Sequence, residues 1–238
     1  RNNKMKNLLA RGGIEFLAVL LGISGSLWVD DYRIELSNQK KTIITLESLK
    51  KELIEAKTYG QVRVQRIEGE SKALYYIIDN WGNINPDSLI NMELGRWDLI
   101  LSLKAYLAFH PPKAIYNSLS NDGSIGLISD PKLKKKINQV FQVRMNHLIE
   151  GVDNQQYFYR IFNEYIIKNH PLLLNPDLTG KQKELDSFLS DQAVYGFLNE
   201  QKNLRDFIRG VINAHLGEIE DLILTIDNYL KKDETPLG

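Results

Sequence analysis

The residue whose type and setting could do the most chemistry is Glu15. It is the one carboxylate in an otherwise apolar run, Gly12 to Val29 (GGIEFLAVLLGISGSLWV). A carboxylate one turn inside a lipid-embedded helix costs a few kcal/mol on insertion scales, less near the headgroups, so it turns toward protein or water. Gly22 lies seven residues on and shares its helix face. Ala18, Gly22 and Ser26 step by four, a ridge of small residues that lets two helices approach. Two outcomes follow. Copies of the helix associate along the ridge, with Glu15 bonded to serine, backbone or Arg11 of a neighbour. Alternatively, a ring of Glu15 carboxylates lines a path for cations or protons, as in an oligomeric channel subunit.

Other reactive patterns are sparse. His110, His147, His170 and His215 include no pair at i, i+3 or i+4, and none stands in the H-E-x-x-H pattern of a zinc site, so no metal is expected. His215 falls on the apolar face of the last helix, where it is either a satisfied core imidazole or a pH sensor. The sequence contains no G-x-S-x-G elbow, no phosphate-binding G-x-x-x-x-G-K-S/T and no dinucleotide G-x-G-x-x-G. Ser120, Ser124 and Ser129 lie near acids but have no histidine close in sequence. No catalytic residue and no cofactor is assigned, and the chain reads as non-enzymatic.

Composition sets the outer bounds. Among 238 residues, Lys+Arg 30 against Asp+Glu 30 leaves no net charge to attract nucleic acid. Lys134-Lys135-Lys136 reads as the solvated face of a helix start. The absence of cysteine excludes disulfides and thiol chemistry. Mean hydropathy is −0.30, a low value for a chain with a span, because one apolar run is diluted by a polar remainder.

The element that must position Glu15 is a helix. At ~1.5 Å per residue, Gly12 to Val29 rises about 27 Å, close to the hydrocarbon thickness of a bilayer. A secretory signal peptide would need a small-x-small cleavage site, and none follows the run. A buried core helix is the other competitor. The run ends instead in Leu27-Trp28-Val29-Asp30-Asp31-Tyr32, which suits Trp28, Asp30 and Asp31 as an interfacial anchor. Arg1, Lys4, Lys6 and Arg11 crowd the first flank, whereas Asp30, Asp31 and Glu35 open the second. The positive-inside bias puts the N-terminus in the cytoplasm and the main domain outside. The chain begins with Arg rather than Met, as a trimmed chain would.

The expected organisation is all-α. It has a basic flank (1–11), a transmembrane helix (12–29), a helical stalk (30–60), an antiparallel bundle (61–232) and a tail (233–238). The stalk continues the span through Leu46, Leu49, Leu53 and Ala56, with Lys50, Lys51, Glu52, Glu55 and Lys57 on its other faces, and ends near Tyr59-Gly60. A second helix covers 61–79, and residues 81–87 break it. A third, capped by Asp87 or Ser88, runs to Phe109. Residues 113–119 form a short helix, followed by a turn at Gly123. Asp130-Pro131 opens a helix reaching Asn169, weakest at Gly151. Residues 172–180 are a loop, and 181–232 are helical with a break near Gly196. The apolar face of that last stretch is Leu204, Ile208, Val211, His215, Ile219, Leu222, Ile226 and Tyr229. Phe158, Phe162 and Tyr165 share a core face, which leaves Tyr159 pointing away as an interface anchor.

Between His110 and Leu133, Pro111 and Pro112 fix the chain direction, Tyr116 and Leu119 share one face of a short helix, and Gly123 permits a tight reversal. This corner is either structural or a ligand or partner pocket roofed by Phe109 and Tyr116.

Several of these residues together carry a resemblance. Glu15, Gly22-Ile23 and Trp28-Val29-Asp30-Asp31, then Phe109, Pro111, Tyr116, Leu119, Gly123, Leu127-Ile128 and Leu133, and finally Glu218 to Ile223 are similar to the motifs of one family. It is an uncharacterised family of bacterial single-span membrane proteins, a domain of unknown function. This chain has Asp30-Asp31-Tyr32 where Asn-Asn-Trp is common. The resemblance implies a Gram-negative inner-membrane location and a helical exported domain, and carries no activity or catalytic residue. The expected partners are membrane lipid, further copies of the chain and a protein bound by the helical domain.

Overall fold

The computed structural model describes residues 2–92, 99–104, 106–175 and 181–233. For residues 2–15, 17, 18, 86, 90, 232 and 233 it describes the backbone alone. All described regular structure is helical, with no strand among the described residues. The elements are α1 (Asn2–Glu70), α2 (Lys72–Asp79), α3 (Pro86–Ile90), α4 (Leu99–Lys104), α5 (Ala114–Asn121), α6 (Pro131–Asn138), α7 (Met145–Asn169), α8 (Gln182–Leu189) and α9 (Gln192–Asp233).

Two heptad seams explain the arrangement. Along α1, residues Thr42, Leu46, Leu49, Leu53, Ala56, Gly60, Arg63, Ile67 and Glu70 are buried at alternating steps of four and three. Along α9 the buried line is Val194, Leu198, Gln201, Arg205, Ile208, Ile212, His215, Ile219, Leu222 and Ile226. That 3.5-residue period keeps one face of each helix turned to the other along their length. They run antiparallel. Lys50 pairs with Asp227, Lys57 Nζ lies 2.8 Å from Glu220 Oε1, and Arg205 reaches the end of α1.

α7 also packs on α9, antiparallel to it. Arg144 pairs with Glu218 at one end, and Phe162 stacks on Phe197 toward the other, ring centroids 4.9 Å apart. Three apolar clusters follow one another along this axis. Leu46 to Ala56 meets Ile219 to Ile226, Ile67 and Phe109 meet Met145 and Ile208, and Leu74 and Ile77 meet Phe162, Phe188 and Leu198.

Two expected breaks do not occur. α1 passes through Gly60 without interruption, because that glycine admits α9: a Cβ there would come within 2.8 Å of Leu216 Cδ2. The helix ends ten residues later at Glu70, whose carbonyl Arg205 takes up. Gly196 is likewise inside α9, and the real break is at Ser190-Asp191, with Asp191 Oδ1 accepting from Ala193 N at 2.8 Å. Gly151 is a close approach too, its missing Cβ standing 3.0 Å from Phe207 Cε1.

Other expectations hold with adjusted boundaries. Asp130 Oδ1 caps α6 through Lys132 N and Leu133 N, and a π-turn over Gln139–Arg144 joins α6 to α7. Gly123 has φ +77, the left-handed backbone its turn requires. α3 starts at Pro86 with Asn85 as its cap, not Asp87 or Ser88. Residues 106–113 are non-helical, so the helix expected to reach Phe109 stops at Lys104.

Candidate functional site

α1 is the element on which the sequence placed its sharpest chemistry. Phe16 and every residue from Val19 to Ser37 are exposed, and the first buried position is Thr42. Phe16, Val19, Leu20, Leu21, Ile23, Leu27, Trp28 and Val29 therefore project from the helix on all sides, with no charged residue among positions 16–29. Trp28 is 71% exposed and stacks on Tyr32, centroids 6.1 Å apart, beside exposed Asp30 and Asp31. Gly22 has open space where a Cβ would lie, and Ser26 is exposed. The side chains of Glu15 and Ala18 lie outside the described residues. Among the described residues, no helix is long and apolar enough to cross a membrane.

The corner after α4 is fastened by a residue that the sequence assigned to the solvent face. Glu52 is 2% exposed. Its Oε2 accepts from Ile115 N at 2.5 Å and its Oε1 from Tyr116 N at 2.8 Å. These are orphan N–H groups of the first turn of α5, so a carboxylate on α1 caps a helix sixty residues away in sequence. Tyr116 then lies flat on Phe141 (4.3 Å, 2°), and its hydroxyl accepts from Gln142 Nε2 at 2.9 Å. Leu119 packs against the same cluster, whereas Phe109 sits in the next one, edge-on to Tyr59 at 5.3 Å. The structure thus places Phe109 and Tyr116 in separate parts of the core, with buried Pro111 between them in sequence. The expectation for Tyr159 is overturned: it is half-buried against Tyr106 at 5.5 Å, and Tyr157 is the exposed ring.

The middle of the molecule holds a layer of polar groups that the sequence did not flag. Arg205 on α9 is 3% exposed and donates to Glu70 O (3.0 Å), Ser71 Oγ (3.3 Å) and Ser102 O (2.5 Å). It closes the carbonyl ends of α1 and α4 at once. Gln201 Nε2 donates to Lys104 O, and Lys104 itself donates to Asn163. Arg63 on α1 is 7% exposed and donates to Leu107 O, while its Nε has no hydrogen-bond partner. Burial pushes both arginines down to about 10, so each keeps its charge at neutral pH. Polar residues at seam positions were the available signal. They were missed because the last helix was read through Leu204 and Val211, which are half-buried, instead of through Arg205 and Ile212.

The histidines differ in kind. His215 is 2% exposed on the seam, and neither ring nitrogen has a hydrogen-bond partner. Burial pushes it down to about 4, against a small lift from Glu218. His170 is buried where α7, α8 and α9 meet. Its Nε2 lies 3.1 Å from Asp191 Oδ2, which also accepts from the Tyr165 hydroxyl at 2.6 Å, and Glu184 Oε1 stands 3.4 Å from Nδ1. This knot ties three helix ends together. No group of three His, Cys, Asp or Glu side chains arranged to hold a metal ion occurs among the described residues.

Compared with protein-family models, with curated proteins and with solved structures, the chain matches none of them.

Proposed function

We propose that this is a non-enzymatic, membrane-anchored protein. It self-associates through the first half of α1 and carries a helical bundle that serves as a partner-binding or sensing module. The observation that carries the reading is the free half of α1. A helix with apolar side chains on every face has no surface suited to water, and lipid solvates all of them at once. Trp28 and Tyr32, stacked beside Asp30 and Asp31, mark the level where such a helix would leave the apolar phase. From there to Thr42 the helix adds about 18 Å before the bundle begins.

Orientation rests on charge. Arg1, Lys4, Lys6 and Arg11 precede the run and acids follow it, favouring a cytoplasmic N-terminus and a periplasmic bundle in a bacterial inner membrane. Self-association rests on register: Gly22, Val29 and Leu36 are exposed at steps of seven on the face Glu15 shares, along a helix with no break. On the bundle, exposed Tyr157 and Ile161 stand one turn apart on α7, a surface of the kind partners use.

The test is fractionation of the full chain expressed in bacteria. It should stay with membranes through an alkaline carbonate wash and leave them only with detergent. Recovery in the washed supernatant would overturn the anchor, and a monomer in mild detergent at micromolar concentration would overturn the self-association.

A further inference from the structure

Between the apolar run and the bundle, residues 30–41 of α1 contain no buried position. This stretch gains nothing from packing within the chain, although packing is where most helical stability in proteins arises. It nonetheless exposes Tyr32 and Leu36 to solvent on one side, 56% and 40% accessible.

The sequence here fits a heptad. With Val29, Leu36 and Ile43 at a, positions d are Tyr32 and Gln39, e are Arg33 and Lys40, and g are Trp28 and Glu35. Ile34 falls at f, outside the seam. The a and d line lies roughly 130° around the helix from the buried positions Thr42, Leu46 and Leu49, so the bundle leaves it clear. Read back into the apolar run, the same register puts Ala18, Gly22 and Gly25 at a and d, where small residues allow close approach.

Charge decides both the occupant and its direction. In a parallel pair of helices, g of one meets e of the other, five residues on. Glu35 then faces Lys40 of a second copy, and Trp28 faces its Arg33, whose guanidinium can lie on the indole ring. All four residues are exposed. In an antiparallel pair, e meets e and g meets g, which sets Arg33 and Lys40 among themselves and Glu35 against itself. Opposite charges meet only in the parallel arrangement. Val29 and Ile43, β-branched at a, favour two strands.

We propose that residues 28–43 of α1 form a parallel two-stranded coiled coil with a second copy of this chain, closed by a Glu35–Lys40 pair on each side. The inference rests on the membrane anchor and self-association proposed above. It adds the number of copies, their direction and the contacts they make in water.

The chain contains no cysteine, so single cysteines report contacts directly. Full-length variants are oxidised in membranes and separated without reductant. Val29→Cys and Leu36→Cys should form disulfide-linked pairs, whereas Asp31→Cys and Ile34→Cys should not. Glu35→Lys or Lys40→Glu, each combined with Leu36→Cys, turns two contacts from attraction to repulsion. Either should raise the dissociation constant in mild detergent by about four- to thirtyfold, read from the cross-linked fraction. The double reversal should restore it, and the mass of the unmodified protein in detergent should be that of two chains. Equal cross-linking at Ile34→Cys and Leu36→Cys, reversals without effect or without rescue, or an assembly of three or more copies would overturn this inference and leave self-association standing. A monomer that cross-links nowhere would remove both, and recovery in the carbonate-washed supernatant would remove the anchor itself.

Discussion

His215 makes the stability of the bundle depend on pH in a window that few other groups share. The folded protein holds this imidazole at about 4 rather than the ordinary 6.5, because burial disfavours its charged form. Glu218 and Arg144 are the charged groups that act on it, in opposite directions. Above pH 6.5 the ring is neutral in both folded and unfolded chains and contributes no pH dependence. As pH falls through 6.5, the unfolded chain takes a proton that the folded one refuses, so stability declines until pH 4, where the folded ring also titrates. The gap is worth about 3 kcal/mol in full and about 2.5 kcal/mol by pH 4.5.

His215→Leu should remove that slope. It should also gain stability at pH 7, since leucine occupies a seam position without leaving two nitrogens unpartnered. Urea unfolding at pH 7.5, 6.5, 5.5 and 4.5 measures both effects. Above pH 4.5 the carboxylates interfere little. Burial acts to raise Asp191, but hydrogen bonds from Tyr165, His170 and Ala193 N hold it below its ordinary 3.8, so its contribution is lost only at lower pH. If wild type and variant lose the same stability between pH 7.5 and 4.5, the neutral buried imidazole is not the cause and the reasoning fails.

Three further outcomes are expected. Glu52→Ala leaves two N–H groups of α5 without acceptors and should cost about 2–4 kcal/mol in urea unfolding, with Glu52→Gln losing roughly half as much; a loss below about 0.5 kcal/mol for the alanine variant would contradict the cap. Gly60→Leu should overpack the α1–α9 contact at a cost of about 1–3 kcal/mol, whereas Gly60→Ala, which displaces only the flexible end of Leu216, should stay within about 1 kcal/mol of wild type. Glu15→Gln should leave the protein in membranes and weaken its assembly, as read by cross-linking in mild detergent; ion flux through liposomes that vanishes in this variant while assembly persists would instead favour a pore.

The helical class was legible because the apolar residues recur at three and four throughout and never alternate for long. Caps announced themselves where one side chain decides the matter, as Asp130 before Pro131 does. The breaks at Gly60 and Gly196 were misjudged for one reason. A glycine in a helix reads as a weakness from the sequence, yet at Gly60 it is the contact surface of a neighbour 156 residues away. Distance in sequence also hid Glu52 and Arg205. A charged residue amid apolar ones looks solvated until the helix end that it caps is brought to it by the fold. His215 was visible on its stripe, but the absence of any partner for its nitrogens was not.

The unbroken course of α1 has a mechanical consequence. About 50 Å of helix joins the end of the apolar run to the polar centre of the bundle with no hinge along the way. A turn of the free end about its own axis would arrive at Arg63 as the same turn, and a lengthwise push as the same push. Because α9 lies against α1 in the opposite sense, any such stroke must shear their shared seam, and the ion pairs Lys50–Asp227 and Lys57–Glu220 are its first stops. The helix can serve as an axle, and what grips it at one end can be felt at the other.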